Sequence, residues 1–599
     1  MRSGVSFSEI SENRGILKIT VDWDEAGTIH VPYLHKRYGL TFFATETLRP
    51  RSRPLHLIRE LARGQLSRVL KRLYDWPSRG LRVPVYLLDA VQEGITRMTE
   101  LAVMDTDAPD FDARALAVFE SLVYLSHLLL DQFIEQSLVA RKTQADIFPI
   151  FLGFRSKRTQ RLNNFSEEHP EFRDIFQAWN PALTWRDIEP EEGVFCWDKL
   201  DQVADKARER RWNVFLGPIV RWDRNSLPHW ILKRLDDPYS VRKSLFRYAE
   251  TLIHRYPATD QWIVASGVAS ELDSILVSKR IEWADSLARI IRSVNRSAKT
   301  LIGIERPWGD SLRYSTEIPP QEIGERLAQN RFVDGFFLAM NFGLSPEATL
   351  PRDAFELNWL LDGWSQLGKP IYVSFSIPSY PAFDVPQWET PNAIELPWTL
   401  KTQQETVHRF FLSFLTRKSI QGIFWNQIDD MPIQKVPPAI LAEAKEETKT
   451  FLQMAGQNDG SADGFPSANA SDSDLLTPPG AVFLSTMPVE PENDGGELPA
   501  QAAFPLSDHE NSEADASSAD SCNGAEVSAP KSVSDTKTPP PLPGETVSSA
   551  DGLKPPEISV LEDEPGTFEF LFPHSGLLTA DGKAKPAFKK LAALQRAYM

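Results

Sequence analysis

Gln261-Trp262-Ile263-Val264-Ala265-Ser266-Gly267 is an apolar run of strand length that stops at a glycine. Beyond it, Arg280 to Val294 repeats apolar residues at helical spacing, and Thr300-Leu301-Ile302-Gly303-Ile304-Glu305 is a second apolar run. Working outward, similar runs stand at Ile147–Phe154, Ala182–Trp185, Asn213–Ile219, Val333–Asn341, Pro370–Ile377 and Gly422–Ile428, with helical patterns such as Asp198–Arg211 between them. Strands alternating with amphipathic helices imply a parallel sheet. Eight such units in about 300 residues suit a closed (β/α)8 TIM barrel of the α/β class better than an open sheet.

Upstream, residues 1–145 read as a small α+β domain. Strands are expected at Ile16–Trp23, Thr28–Tyr33 and Leu40–Thr45. Helices are expected from Leu55, around Ala90–Met104, and from about Asp112 to Arg141. The barrel is assigned to 146–455 plus 567–599. Between these two pieces, residues 456–566 are rich in Ser, Pro, Ala, Asp and Glu and poor in aliphatic residues, and are expected to form a long disordered insertion. From Gly456 to Pro565 there are 21 acidic and 3 basic residues, a local net of −18 within a chain whose formal net charge is −17. The rest of the chain is therefore close to neutral, which gives no reason to expect nucleic-acid binding. The insertion follows strand eight, on the face of a barrel where βα loops gather. It reads either as an inert tether or as an arm for a protein partner.

Two cysteines in 599 residues give neither a disulfide framework nor a cysteine-based metal site. Ten scattered histidines have no ligand spacing, no phosphate-loop, dinucleotide or serine-hydrolase motif occurs, and no cofactor or metal is expected. The start lacks an apolar signal core, and the most apolar stretch, Ala115–Ala140, carries Glu120, Asp131 and Glu135. The expectation is a cytoplasmic protein without a membrane partner. Sixteen tryptophans suit a protein that handles carbohydrate, since indole faces stack on sugar rings, although core packing explains most of them.

Several short segments together resemble glycoside hydrolase family 10, the xylanase family. They are Leu183-Thr184-Trp185-Arg186-Asp187-Ile188-Glu189-Pro190 through Gly193-Val194-Phe195, Gly217-Pro218-Ile219-Val220-Arg221-Trp222, Leu227-Pro228-His229-Trp230, Gln261 to Gly267, Asp334-Gly335, Ile423-Phe424-Trp425 with Asp429, and Gly576-Leu577-Leu578 followed by Lys585-Pro586-Ala587-Phe588. The resemblance spans roughly residues 150–455 plus 567–596. It implies a barrel enzyme acting on O-glycosyl bonds through two glutamates. Laid against that family without gaps, the proton donor at the end of strand four falls on Gly267, and the nucleophile of strand seven falls on Phe375. The family's sugar-holding residues fall on Thr184, Pro218, Ala339 and Asn341.

Two readings follow. In the first, the chain is a glycoside hydrolase with a relocated carboxylate pair. Glu271, after strand four, and Glu305, at the end of strand five, are the catalytic candidates, because two carboxyl groups must face each other across a glycosidic bond. In the second, the barrel is a non-catalytic carbohydrate-binding or scaffold pseudoenzyme. The candidates for substrate binding are Trp222, Trp308, Asn341, Trp425 and Asp429. Each has a plain structural alternative: barrel-top packing for the tryptophans, an ion pair with an arginine for Glu305, a helix N-terminal carboxylate for Glu271, and a loop or capping role for Asp429.

Overall fold

The computed structural model describes residues 10–13, 16–19, 26–35, 37–50, 54–145, 147–157, 170–268, 272, 274–310, 318–343, 348–379, 398–430, 483–485, 575–580 and 582–599. The chain begins with strands. β1 (Ile10–Asn13) pairs antiparallel with β2 (Ile16–Ile19), and β3 (Thr28–His35) forms a hairpin with β4 (Gly39–Ala44). Gly39 closes the hairpin turn at φ +78°, a left-handed conformation that costs glycine little. Three helices follow, α1 (Leu57–Ser78), α2 (Val85–Val103) and α3 (Phe111–Lys142). Their apolar faces close on one another and on the hairpin. Trp76 stacks on Phe133 with ring centres 4.3 Å apart, and Phe119 meets Phe43 edge-on at 5.1 Å. By length and composition α3 is apolar enough to cross a membrane, but 56% of its most apolar window is buried inside the molecule.

The barrel elements alternate between strand and helix, apart from three consecutive pairs. They are β5 (Phe151–Arg155), α4 (Pro170–Ile175), β6 (Ala178–Asn180), α5 (Trp185–Ile188), α6 (Asp198–Arg210), β7 (Asn213–Leu216), β8 (Val220–Arg221), α7 (His229–Leu232), α8 (Pro238–Arg255), β9 (Gln261–Ser266), α9 (Val277–Val294), β10 (Lys299–Glu305), α10 (Pro320–Ala328), β11 (Gly335–Asn341), α11 (Ala354–Ser365), β12 (Ile371–Ser376), α12 (Leu400–Leu415) and β13 (Ile420–Trp425). In this order α5 and α6, β7 and β8, and α7 and α8 stand as the consecutive pairs. The last helix, α13 (Pro586–Tyr598), comes after β14 (Phe483–Ser485). All neighbouring barrel strands are parallel, and β13 pairs back onto β5, so the sheet is closed. β7 and β8 are two pieces of one stave, joined through Gly217 and a cis Pro218, and both pair with β9. The architecture is therefore the (β/α)8 barrel expected from the alternation of strands and helices.

The closed sheet has two cores. Inside it, one side chain from each of the eight staves forms a plug: Phe151, Ala178, Phe215, Ile263, Leu301, Phe337, Tyr372 and Phe424. Outside it, the alternate residues of the same strands, Trp179, Trp262, Leu338, Phe375 and Trp425 among them, pack against the helices. The two sets follow from the period of two along a strand. Glycine makes room for the plug at Gly153, where an added Cβ would lie 2.4 Å from the Phe424 ring.

One expectation needs correcting. Strand two is Ala178–Asn180, four residues earlier than read, because Thr184 and Asp187 form a capping box that turns Trp185–Ile188 into helix α5. The tract 456–566 lies outside the described residues except for β14, which pairs antiparallel with β3, Phe483 opposite His30 and Ser485 opposite Thr28. Residues 1–145 and the barrel are in direct contact. The described residues of both belong to one unit. Phe42 N donates to Pro351 O at 3.0 Å, and α1 reaches the barrel's outer helices through Arg72 and Arg79, each 2.6 Å from Asp362 on α11. Arg417 completes this buried cluster at 2.8 Å from the same carboxylate.

Candidate functional site

Above the aromatic plug, toward the C-terminal ends of the strands, the interior turns polar. Arg155 ends β5 and donates from Nε to Asn180 Oδ1 at 2.9 Å. Asn180 in turn donates to the carbonyls of Phe215 and Gly217, at 2.6 and 2.9 Å. On the opposite side, Asn341 of β11, Ser374 and Ser376 of β12 and Asn426 just past β13 form one network. Ser376 Oγ donates to Asn341 Oδ1 at 3.1 Å, Asn426 Nδ2 donates to the same oxygen, and Ser374 Oγ donates to Asn426 Oδ1. With two donors on its oxygen, the Asn341 amide is fixed in orientation. Its NH2 group makes no hydrogen bond among the described residues, and the side chain is only partly buried.

The tip of strand four has its own geometry. The pairing of β9 with β10 slips between Leu301 and Ile302, so Ile263 lies opposite Leu301 but Ala265 lies opposite Ile302. This bulge brings Ser266 alongside Arg221 and over Gly303, where a Cβ would stand 2.6 Å from the Ser266 Cβ. Ser266 Oγ is buried without a hydrogen-bond partner among the described residues. Gly267 follows at φ +62°. On β10, Glu305 lies 3.2 Å from the Arg221 guanidinium, which also holds Asp223 at 2.5 Å. Arg306, next in the chain, is a non-glycine residue at φ +47°, a strained conformation of the kind that gathers at functional sites.

The two positions where the family resemblance places glutamates hold no acid. Gly267 has no side chain. Phe375 is fully buried on the outer face of β12, its ring meeting Phe414 at 5.3 Å and Trp425 at 5.0 Å. The residues of that strand that take part in the mouth network are Ser374 and Ser376, which carry hydroxyls.

The other candidates separate clearly. Glu305 and Asn341 both stand at the mouth, on adjacent staves. Glu271 lies outside the described residues, as do the neighbouring positions 269, 270 and 273. Trp222 and Trp425 end their strands as read, but neither indole is exposed: Trp222 packs against Trp283 at 5.7 Å, and Trp425 Nε1 donates to Ser575 O at 3.1 Å. Neither offers a face for stacking, because each points into the layer between strands and helices. Trp308 is half-buried beside Phe342 and keeps part of its ring accessible. Asp429 is buried. Its backbone bridges to Leu578, while Asp430 pairs with Lys585 at 2.6 Å, which pins the segment after strand eight to the start of α13. Burial holds the Lys585 ammonium below its usual range, against the pull of Asp430.

Sequence reading missed Asn180, Ser374, Ser376 and Asn426 at the mouth, and it offered Glu305 an arginine partner without naming Arg221. Single polar residues at strand ends carry no periodic signal. The bulge in β9 could not be seen either, since it depends on the register with β10.

The class defined by fold and site is thus a (β/α)8 barrel with a polar mouth over an aromatic plug. No protein-family model matches the chain, and no curated protein matches it in sequence. Solved structures similar to it include xylanase 10B from Thermotoga maritima, with 17% identity and a TM-score of 0.38 over 51% of this chain and 88% of that one. Xylanase 10B from Thermotoga petrophila RKU-1, in complex with xylobiose, matches with 18% identity and a TM-score of 0.37 over 50% and 86%. A family 10 xylanase from Thermobacillus composti matches with 15% identity and a TM-score of 0.36 over 46% and 84%.

Proposed function

We propose that the barrel mouth binds a carbohydrate through its hydroxyl groups and does not hydrolyse it. The observation that carries this reading is the Asn341–Ser374–Ser376–Asn426 network, which fixes the Asn341 amide with its NH2 donors unspent. Amides and hydroxyls pair well with polyols, and a ligand oxygen arriving at a preset donor loses little on ordering. Hydrolysis by retention or inversion needs two carboxyl groups across the scissile bond. Among the described residues, the acids gathered at the tips of β8 and β10 are Asp223 and Glu305, and Arg221 meets the charge of both.

A second reading keeps the enzyme: Glu305 paired with Glu271 as a relocated catalytic pair. What favours it is that Glu305 is at the mouth and that the chain leaves β9 for Glu271 on the adjacent stave.

Titration of the full chain with xylo- and gluco-oligosaccharides, run beside a hydrolysis assay, separates the two. The binding reading expects oligosaccharide affinity without turnover, little change in Glu305→Gln or Glu271→Gln, and a loss of roughly tenfold, about 1.4 kcal/mol, in Asn341→Ala. Turnover that disappears in either glutamine variant establishes the hydrolase instead, because an amide neither ionises nor donates a carboxyl proton. Neither binding nor cleavage of any of these sugars overturns both.

A further inference from the structure

Residues 349–352, which lead toward α11, tie three parts of the molecule together. Thr349 N donates to Asn341 O at 2.7 Å, and Gly343 N donates to Thr349 O at 3.0 Å, so the stretch is fixed to the end of β11. Pro351 O accepts from Phe42 N of β4 at 3.0 Å, which fixes it to the N-terminal hairpin. Leu350 N donates to Asp310 Oδ2 at 3.1 Å, and Arg352 Nη2 donates to Asp310 Oδ1 at 2.9 Å. Both oxygens of a carboxylate on the loop after β10 are thus held from this one stretch. The Arg352 and Asp310 side chains are only 5% and 6% exposed, so solvent ions screen their attraction little.

Arg352 also serves two aromatic rings. Its guanidinium lies 5.5 Å from the centre of the Phe42 ring on the hairpin and 5.8 Å from the centre of the Trp308 indole on the loop after β10. Both distances are within the reach of the attraction between a cation and a π face, which is strongest for tryptophan. Trp308 itself sits in a tight turn closed by Gly309 N donating to Arg306 O at 2.8 Å. On its other flank it meets Phe342, the residue after Asn341, at 6.1 Å. The indole is therefore set at the rim of the mouth, and part of it stays accessible. A chain of contacts runs from β4 through Pro351 and Arg352 to this ring, and the same stretch holds the backbone of Asn341.

We propose that Trp308 is a stacking platform at the rim of the carbohydrate site and that Arg352 is its positioning residue, so that the N-terminal hairpin becomes part of the site. This rests on the reading of the mouth as a carbohydrate site and extends it. The ligand class is an oligosaccharide with flat, C–H-bearing ring faces, able to reach from the mouth donors to the indole.

Titration of the full chain with xylotetraose and cellotetraose, beside fluorine NMR of the chain labelled with fluorotryptophan, tests the idea. The Trp308 resonance is assigned by its loss in Trp308→Phe, and sugar should shift it in the unaltered chain. Trp308→Ala should cost roughly tenfold in affinity, the loss typical of a central aromatic contact. Arg352→Met should cost about as much and should move the Trp308 resonance before sugar is added, because the ring loses its cation. Arg352→Lys keeps a cation near both rings and should recover part of the loss. Phe42→Leu, a change confined to the hairpin, should cost about threefold by loosening Arg352. Should Arg352→Met fail to fold, Arg352→Lys and Phe42→Leu decide the matter by the same two readouts. An unmoved Trp308 resonance in these variants, or full affinity in Trp308→Ala, overturns this proposal and leaves the mouth reading standing. If the unaltered chain binds neither sugar, the mouth reading fails and this one falls with it.

Discussion

Asp362 shows how much one buried carboxylate can organise. Three guanidinium groups converge on it: Arg72 and Arg79 from the N-terminal helices and Arg417 from the barrel. Arg417 also binds Asn358, and Arg72 lies over the Trp359 ring at 4.4 Å. Removing the anion leaves Arg72 and Arg417 buried together without it. Asp362→Asn is expected to destabilise the chain by about 3–5 kcal/mol, read as a drop in the denaturant midpoint, because breaking a buried ion pair strands the partner charge. Arg72→Met is the milder change, since it removes a cation together with its need for a partner. None of this cluster was legible beforehand. Arg72 and Asp362 are 290 residues apart, and a lone Asp in an amphipathic helix looks like any solvated residue. The candidates Trp222 and Trp425 failed as platforms for a related reason. A tryptophan at a strand end is placed well by sequence, but which face it takes depends on a parity that only the register fixes.

At the level of the element, the barrel depends on small residues beneath large ones. Gly153 sits against Phe424 and Gly303 against Ser266. Gly153→Ala places a Cβ on a fully buried ring that has no free space to enter, since Phe424 already meets Phe215 at 4.9 Å and Phe337 at 5.1 Å. The expected cost is about 1–3 kcal/mol, measured as a lower melting temperature, with no new contact to compensate. Strand and helix existence was legible throughout this region, because apolar runs and helical periods are local properties. Boundaries were less so. Strand two was displaced by the capping power of Thr184 and Asp187, a pair whose partnership shows once the chain turns there. The alternation of mouth and helix-layer residues on β12 was equally hidden, which is why Phe375 and its serine neighbours carry such different roles.

For the whole molecule, acid is the condition that tests the assembly. Burial alone would raise Asp362, Asp353 and Asp187, but their cationic and hydrogen-bonding partners outweigh it and hold all three carboxyls below the ordinary value. The unfolded chain therefore takes up protons more readily than the folded one. The stability these groups contribute is full above about pH 4, the ordinary aspartate value, and is lost as pH falls through the lower folded values. Unfolding midpoints measured from pH 6 down to pH 2.5 should fall steeply in the acid range, and the fall should be shallower in Asp362→Asn. Two of the three groups, Asp362 and Asp353, lie where the N-terminal helices meet the barrel, so acid should loosen that junction first. The composition of both parts was legible beforehand, with no sign that one core would run through them.

The barrel's last helix, α13, is supplied from beyond the acidic tract. Leu578 bridges to Asp429, Lys585 pairs with Asp430, and Phe148 N donates to Tyr598 O at 2.8 Å, so α13 seals the seam at the first stave. On a ribosome, the eighth stave therefore emerges long before the helix that covers it, with the whole acidic tract translated in between. Until α13 is made, the apolar flank of that stave waits uncovered.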